Sequence, residues 1–143
     1  MTLRASLGLT VALLLSSVST SSAQLSAPNA AGVAMGHLHY VVRDVDANRK
    51  FWVALGGTAR DIGQSHVVAF PDVLVFLSQG ESSRVGESVI NHVAFKVRSF
   101  AAIEAAGLKV TRMTQYQGVG SVTSPEGERI ELFEETSPNL VFT

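Results

Sequence analysis

The sequence predicts an α+β fold built from two βαβββ modules in tandem. Three observations lead there. The chain repeats itself once, at a constant offset of 55 residues. Its short apolar runs alternate with period two, as half-buried strands do. In each copy the first such run leads into a helical stretch that opens on a capping residue and closes on Gly.

The repeat is clearest in the opening strand. His37-Leu38-His39-Tyr40-Val41-Val42-Arg43-Asp44 aligns with His92-Val93-Ala94-Phe95-Lys96-Val97-Arg98-Ser99. Leu38, Tyr40 and Val42 share one face, and His37, His39 and Val41 share the other. Asp44 and Ser99 are good helix N-caps. The first helix carries Ala47, Phe51 and Leu55 on one stripe with Trp52 beside it, and it ends at Gly56-Gly57. The second ends at Gly107 and is shorter by about one turn. The apolar stripe needs a sheet face to cover it. The Leu38/Tyr40/Val42 face serves, which turns the His face away from the helix.

Three further strands follow each helix. In the first copy they are Thr58 to Ile62, His66 to Phe70 and Val73 to Leu77, separated by Gly63-Gln64-Ser65 and Pro71-Asp72. In the second they are Leu108 to Thr114, Val119 to Thr123 and Arg129 to Phe133. The turn Ser124-Pro125-Glu126-Gly127 separates the last two. Module one spans residues 35–79 and module two residues 89–136. A Gly/Ser/Glu-rich linker from Ser78 to Ser88 joins them.

The ends lie outside this pattern. Arg4, an apolar run from Leu7 to Leu15 and a small polar stretch from Ser16 to Ser22 read as a secretory signal over residues 1–23, cut after Ala23. The apolar run is too short to span a bilayer. The mature domain is therefore expected outside the cytoplasm, periplasmic or secreted, and without a membrane segment. Residues 24–34 read as a flexible leader, and 137–143 as a tail.

Composition narrows the function. The net charge is −1, or −2 without the leader's single Arg4. That balance excludes nucleic acid as a partner, which needs a basic surface, and gives no attraction to anionic lipid. The chain has no Cys. It therefore has neither disulfide nor thiolate, and a metal would have to be held by His, Asp, Glu or neutral oxygen groups.

The repeat resembles the paired modules of the vicinal oxygen chelate superfamily, the glyoxalase, bleomycin-resistance and extradiol dioxygenase group. The resemblance rests on Gly36-His37 with Asp44 seven residues after the His, on Phe51-Trp52 and Leu55-Gly56-Gly57, on Asn91-His92-Val93-Ala94-Phe95, and on Ser124-Pro125-Glu126-Gly127-Glu128-Arg129-Ile130-Glu131-Leu132-Phe133-Glu134. It implies an eight-stranded curved sheet around a central cup that holds one divalent metal. It implies ligands at inward positions of the first and fourth strands of each module, which gives His37, His92 and Glu131. Alignment of the fourth strands sets Val75 against Glu131, with Leu74 on Ile130 and Phe76 on Leu132, so a fourth protein ligand is missing.

Two imidazoles and a carboxylate suit Fe(II), Mn(II) or Zn(II) and leave positions open for water or substrate. The ligand set is similar to that of extradiol dioxygenases and manganese-dependent fosfomycin-inactivating enzymes. It departs from the four protein ligands of glyoxalase I. His39 shares the face of His37, where it is a candidate general base or a lining residue. Tyr116 lies near a loop at the rim and is a candidate donor to a metal-bound oxyanion. His66 reads as surface or rim.

The first expectation is thus a metal-dependent enzyme acting on a small oxygen-rich or aromatic substrate. The alternative is a metal-free binding protein like those that sequester bleomycin. The resemblance also implies a homodimer, with the cup closed within one chain or across two.

Overall fold

The computed structural model describes residues 25–81 and 89–138. The expected signal at 1–23, the linker residues 82–88 and the tail from 139 on lie outside the described residues.

The elements follow the predicted order. Module one contains β1 (His37–Val42), α1 (Val45–Ala54), β2 (Thr58–Ile62), β3 (Ser65–Phe70) and β4 (Val73–Gln79). Module two contains β5 (Val93–Val97), α2 (Phe100–Ala105), β6 (Thr111–Arg112), β7 (Val119–Thr123) and β8 (Arg129–Glu134). Both helices start as the sequence predicts. The Asp44 carboxylate accepts the N–H of Ala47 at 2.9 Å, and the Ser99 hydroxyl accepts that of Ala102 at 3.2 Å. Gly56 and Gly107 leave the helices with φ of +108° and +93°, conformations that a Cβ disfavours.

One strand is much shorter than expected. Only Thr111 and Arg112 of the Leu108–Thr114 run join a ladder. Val110 turns into the core and Leu108 packs against it. Burial of these side chains sets the path of the segment, and strand pairing begins only after it.

The eight strands form two four-stranded sheets, ordered β1-β4-β3-β2 and β5-β8-β7-β6. In each, the first strand runs parallel to the fourth and the remaining neighbours are antiparallel. The hydrogen-bonded ladders of one sheet do not continue into the other among the described residues.

The sheets meet through their helix-facing sides. Trp52, fully buried on α1, lies against Tyr40 of β1, Phe70 of β3 and Phe95 of β5, with ring centroids 5.4, 6.1 and 5.7 Å away. Phe70 and Phe95 meet across the module boundary with ring centroids 4.8 Å apart and planes tilted by 51°. A single apolar cluster runs from Val42, Val68 and Val75 through Trp52 to Val97, Ile130 and Leu132. The opposite face of each sheet therefore looks away from this common core.

Polar groups tie the modules together beside the core. The side chain of Glu126, in the β7–β8 turn, accepts from the backbone N–H and the Nε of Arg43 and from Nδ2 of buried Asn48. Asn48 also donates to the carbonyl of Asp44 at 2.9 Å. A module-two carboxylate thus completes the N-terminal turn of the module-one helix.

Candidate metal centre

Period two assigns the outward faces, and register confirms the assignment. On the first sheet, His37, His39 and Val41 of β1 sit beside Leu74, Phe76 and Ser78 of β4. All three β1 residues are exposed, while Val75 and Leu77, which alternate with the β4 residues, are buried. On the second sheet, Ala94 pairs with Glu131 and Lys96 with Phe133, with Ile130 and Leu132 buried between. His92 immediately precedes this strand.

His92 and Glu131 come together. The Nε2 of His92 lies 3.4 Å from Oε1 of Glu131, a separation that one ion about 2.1 Å from each would bridge. The Nδ1 of the same ring is 2.9 Å from Oδ1 of Asn91. A hydrogen bond donated from Nδ1 leaves the Nε2 lone pair directed toward Glu131, the tautomer a metal requires. In chemistry and spacing, this pair fits two ligands of a divalent cation.

Arg129 crowds the same point. Its Nη1 is 3.5 Å from the second oxygen of Glu131, and its Nη2 donates to Oδ1 of Asn91 at 2.8 Å. Nη2 also lies within hydrogen-bond distance of Nδ1 of His92. Two N–H donors cannot share that gap. The metal-binding tautomer of His92 therefore requires the guanidinium to withdraw from the ring and rest on Asn91.

His37 belongs to a different cluster. Its ring centroid is 5.0 Å from that of Phe76 and 6.3 Å from that of His39. The Nε2 of His39 is 2.8 Å from the Ser78 hydroxyl, which orients its ring. Among the described residues, no three His, Asp or Glu side chains gather where they could hold a metal. One chain thus brings together two of the three predicted ligands and leaves His37 on the other sheet.

Tyr116 is exposed in the turn between β6 and β7. His66 is exposed and pairs with Asp61 on the helix side of its sheet, 3.1 Å away, in keeping with a surface role.

No protein-family model matches the chain, and no curated protein does. Solved structures do match. A possible glyoxalase from Bacillus cereus superposes with a TM-score of 0.53 at 23% identity, covering 68% of this chain and 95% of that one. The oxidase ChaP-H2 gives a TM-score of 0.53 at 19% identity, over 71% and 93% of the two chains. The fosfomycin resistance protein FosX from Mesorhizobium loti gives 0.51 at 19% identity, over 70% and 90%.

The fold is that of the vicinal oxygen chelate superfamily. In its frame the fourth-strand alignment needs a correction. Leu38 pairs with Val75 just as Val93 pairs with Ile130. The counterpart of Glu131 is therefore Phe76, and Val75 matches buried Ile130. The offset of 55 holds into the last strand, and Val75 has the wrong parity to face outward. A fourth protein ligand is still missing, because a phenylalanine occupies its place.

Three residues beside the candidate ligands had no role assigned from the sequence: Asn91 and Arg129 next to His92, and Ser78 next to His39. Arg129 was accessible to alternation, since it stands two residues before Glu131 on the same face.

Electrostatically, the outward faces of the strands are cationic. They carry Arg60, Lys96 and Arg129 against one acid, Glu131. Lys96 is weakly paired with Glu135 at 3.9 Å. The remaining strand acids, Asp61 and Glu134, lie on the helix sides, where Asp61 meets Arg49 of α1 and Glu134 accepts the N–H of Phe100 on α2.

Proposed function

We propose that the mature chain is an exported, metal-dependent enzyme whose cup forms between two copies, with His92 and Glu131 from one and His37 from the other. The observation that carries this reading is the 3.4 Å approach of His92 to Glu131 on a face turned away from His37. Two half-sites on opposite sides of a shared core suit an isologous dimer, which would build two complete cups at once. The exposed Val41 and half-buried Phe76 and Phe133 on those faces are apolar surface that a second copy would cover. Export rests on the pattern of Arg4 and Leu7 to Leu15.

The metal, Fe(II), Mn(II) or Zn(II), would supply Lewis acidity to two neighbouring oxygens of a small oxygen-rich or aromatic substrate. His39, held by Ser78, moves a proton at the substrate edge. Tyr116 serves as a hydrogen-bond donor from the rim. Metal analysis of the purified protein tests the reading: near-stoichiometric metal that is lost on His92→Ala supports it.

Arg129 favours a second reading. Its guanidinium already satisfies Glu131 without a metal, as a cup that only sequesters a ligand would require. Full folding and tight binding of an aromatic ligand with no metal present would favour that reading.

A further inference from the structure

We infer that Arg129 is a positioning residue that latches the half-site shut: its guanidinium holds His92 in the tautomer that cannot take a metal, so an ion loads only where that contact breaks. The inference rests on the metal pair proposed above, and it adds how loading of that pair is controlled.

The contacts of one nitrogen carry it. Nη2 of Arg129 lies 2.8 Å from Oδ1 of Asn91 and also within hydrogen-bond distance of Nδ1 of His92. A guanidinium nitrogen only donates, and Nη2 carries a hydrogen for each of these acceptors. Nδ1 must therefore present its lone pair. The proton of the neutral ring then sits on Nε2, which faces Oε1 of Glu131 at 3.4 Å. Nη1 faces the other oxygen of the same carboxylate at 3.5 Å. Each group thus meets a partner of the opposite kind with no ion present.

The metal-ready arrangement differs in where one proton sits. The ring gives up its Nε2 proton and gains one at Nδ1, exchanged through water, and stays neutral. Nδ1 then donates to Oδ1 of Asn91, 2.9 Å away, and the guanidinium leaves the ring. Nε2 turns its lone pair toward Glu131. Without an ion between them, two acceptors would face each other across 3.4 Å. The closed arrangement is therefore the resting one, and Asn91 accepts in both. An ion has to offset the lost guanidinium contact as well as bind. With only two ligands from one chain, the half-site stays closed to stray ions until a further ligand arrives from the second copy.

Heteronuclear NMR of the nitrogen-labelled, metal-free whole protein reads the tautomer directly, with His92→Gln identifying the His92 signals. Wild type should carry the His92 proton on Nε2. Arg129→Met, which keeps the stem and removes every donor, should move a large share of it to Nδ1. Arg129→Gln, which stops short of the ring, should do the same and guards against misfolding of the first variant. Arg129 is partly exposed, so circular dichroism should find both folded.

Calorimetric titration with Mn(II) and Zn(II) reads the consequence. Both Arg129 variants should bind the ion about ten-fold more tightly than wild type, in proportion to the fraction of molecules that the latch keeps closed. Lys96→Met controls for charge. It removes a cation from the same outward face, but one paired with Glu135 rather than with the ring, and should gain far less. The inference is overturned if wild-type His92 already carries its proton on Nδ1, if neither Arg129 variant moves it, if those variants bind metal no tighter than wild type, or if Lys96→Met gains as much as they do. Uptake by the variants but not by wild type is the latch at full strength. Uptake by none of the proteins sinks the metal reading and leaves the tautomer shift to decide whether Arg129 holds the ring; uptake with an unmoved tautomer sinks the latch alone.

Discussion

Arg43 donates twice to Glu126, from its backbone N–H at 3.0 Å and from Nε at 2.8 Å, and so joins the end of the first strand in module one to a turn in module two. The Glu126 side chain is 7% exposed, and it also receives the amide of fully buried Asn48. The relative placement of the modules thus depends on a shielded carboxylate as well as on the aromatic contacts of Trp52, Phe70 and Phe95.

Removing that carboxylate should therefore cost stability. Glu126→Ala leaves the Asn48 amide short of an acceptor and should lower the unfolding free energy by about 2–3 kcal/mol. Glu126→Gln keeps one carbonyl acceptor and should cost less. Urea denaturation of both variants checks this, and a wild-type midpoint for Glu126→Ala would refute it.

Glu131 and Glu134 differ in face. Glu131 looks outward beside His92, while Glu134 accepts the first N–H of α2 at 2.8 Å. Glu131→Gln should reduce metal affinity at least about ten-fold with little change in melting temperature. Glu134→Gln should do the reverse, weakening the cap and sparing the metal. Metal titration and thermal unfolding, run on both variants, separate the two effects.

A cup shared between copies predicts complementation. His37→Ala and Glu131→Gln should each impair every cup of its own homodimer. When the two are mixed and reassociated, each heterodimer has one intact cup and one that carries both changes. About a quarter of the wild-type high-affinity sites should return at equal mixing. If all ligands came from one chain, mixing would restore none, and calorimetric site counting distinguishes the outcomes.

Glu128 should make stability fall as pH rises. Burial, and then the neighbouring Glu126 carboxylate, push its carboxyl above the ordinary glutamate value of 4.5. Its buried Oε2 has no hydrogen-bond partner. The folded state therefore holds this proton more tightly than the unfolded chain does. Its contribution is intact below pH 4.5 and is lost as pH climbs from there through the raised folded value. Glu128→Gln should remove that decline and stabilise the protein at neutral pH. Unfolding midpoints measured from pH 4 to pH 8 would show a flatter profile for the variant; parallel profiles would count against the assignment.

The repeat, the helix caps at Asp44 and Ser99, the Gly exits and the outward parity of His37, His92 and Glu131 could all be read from the chain, because each depends on neighbours a few residues apart. Alternation alone also held what was needed to find Arg129. The fourth-strand counterpart was harder to place, since Leu74, Val75 and Phe76 are all apolar, and hydropathy alone does not tell which of them faces outward. The pairing of Leu38 with Val75 resolves it.

By itself, then, the sequence determined two βαβββ modules and the face on which each candidate ligand stands, since strand and helix periods are local properties of the backbone. Only the tertiary structure decided which ligands meet. The helix sides of both sheets share one core through Trp52, Phe70 and Phe95. That packing joins residues far apart in the chain, and it brings His92 to Glu131 and leaves His37 on the far side.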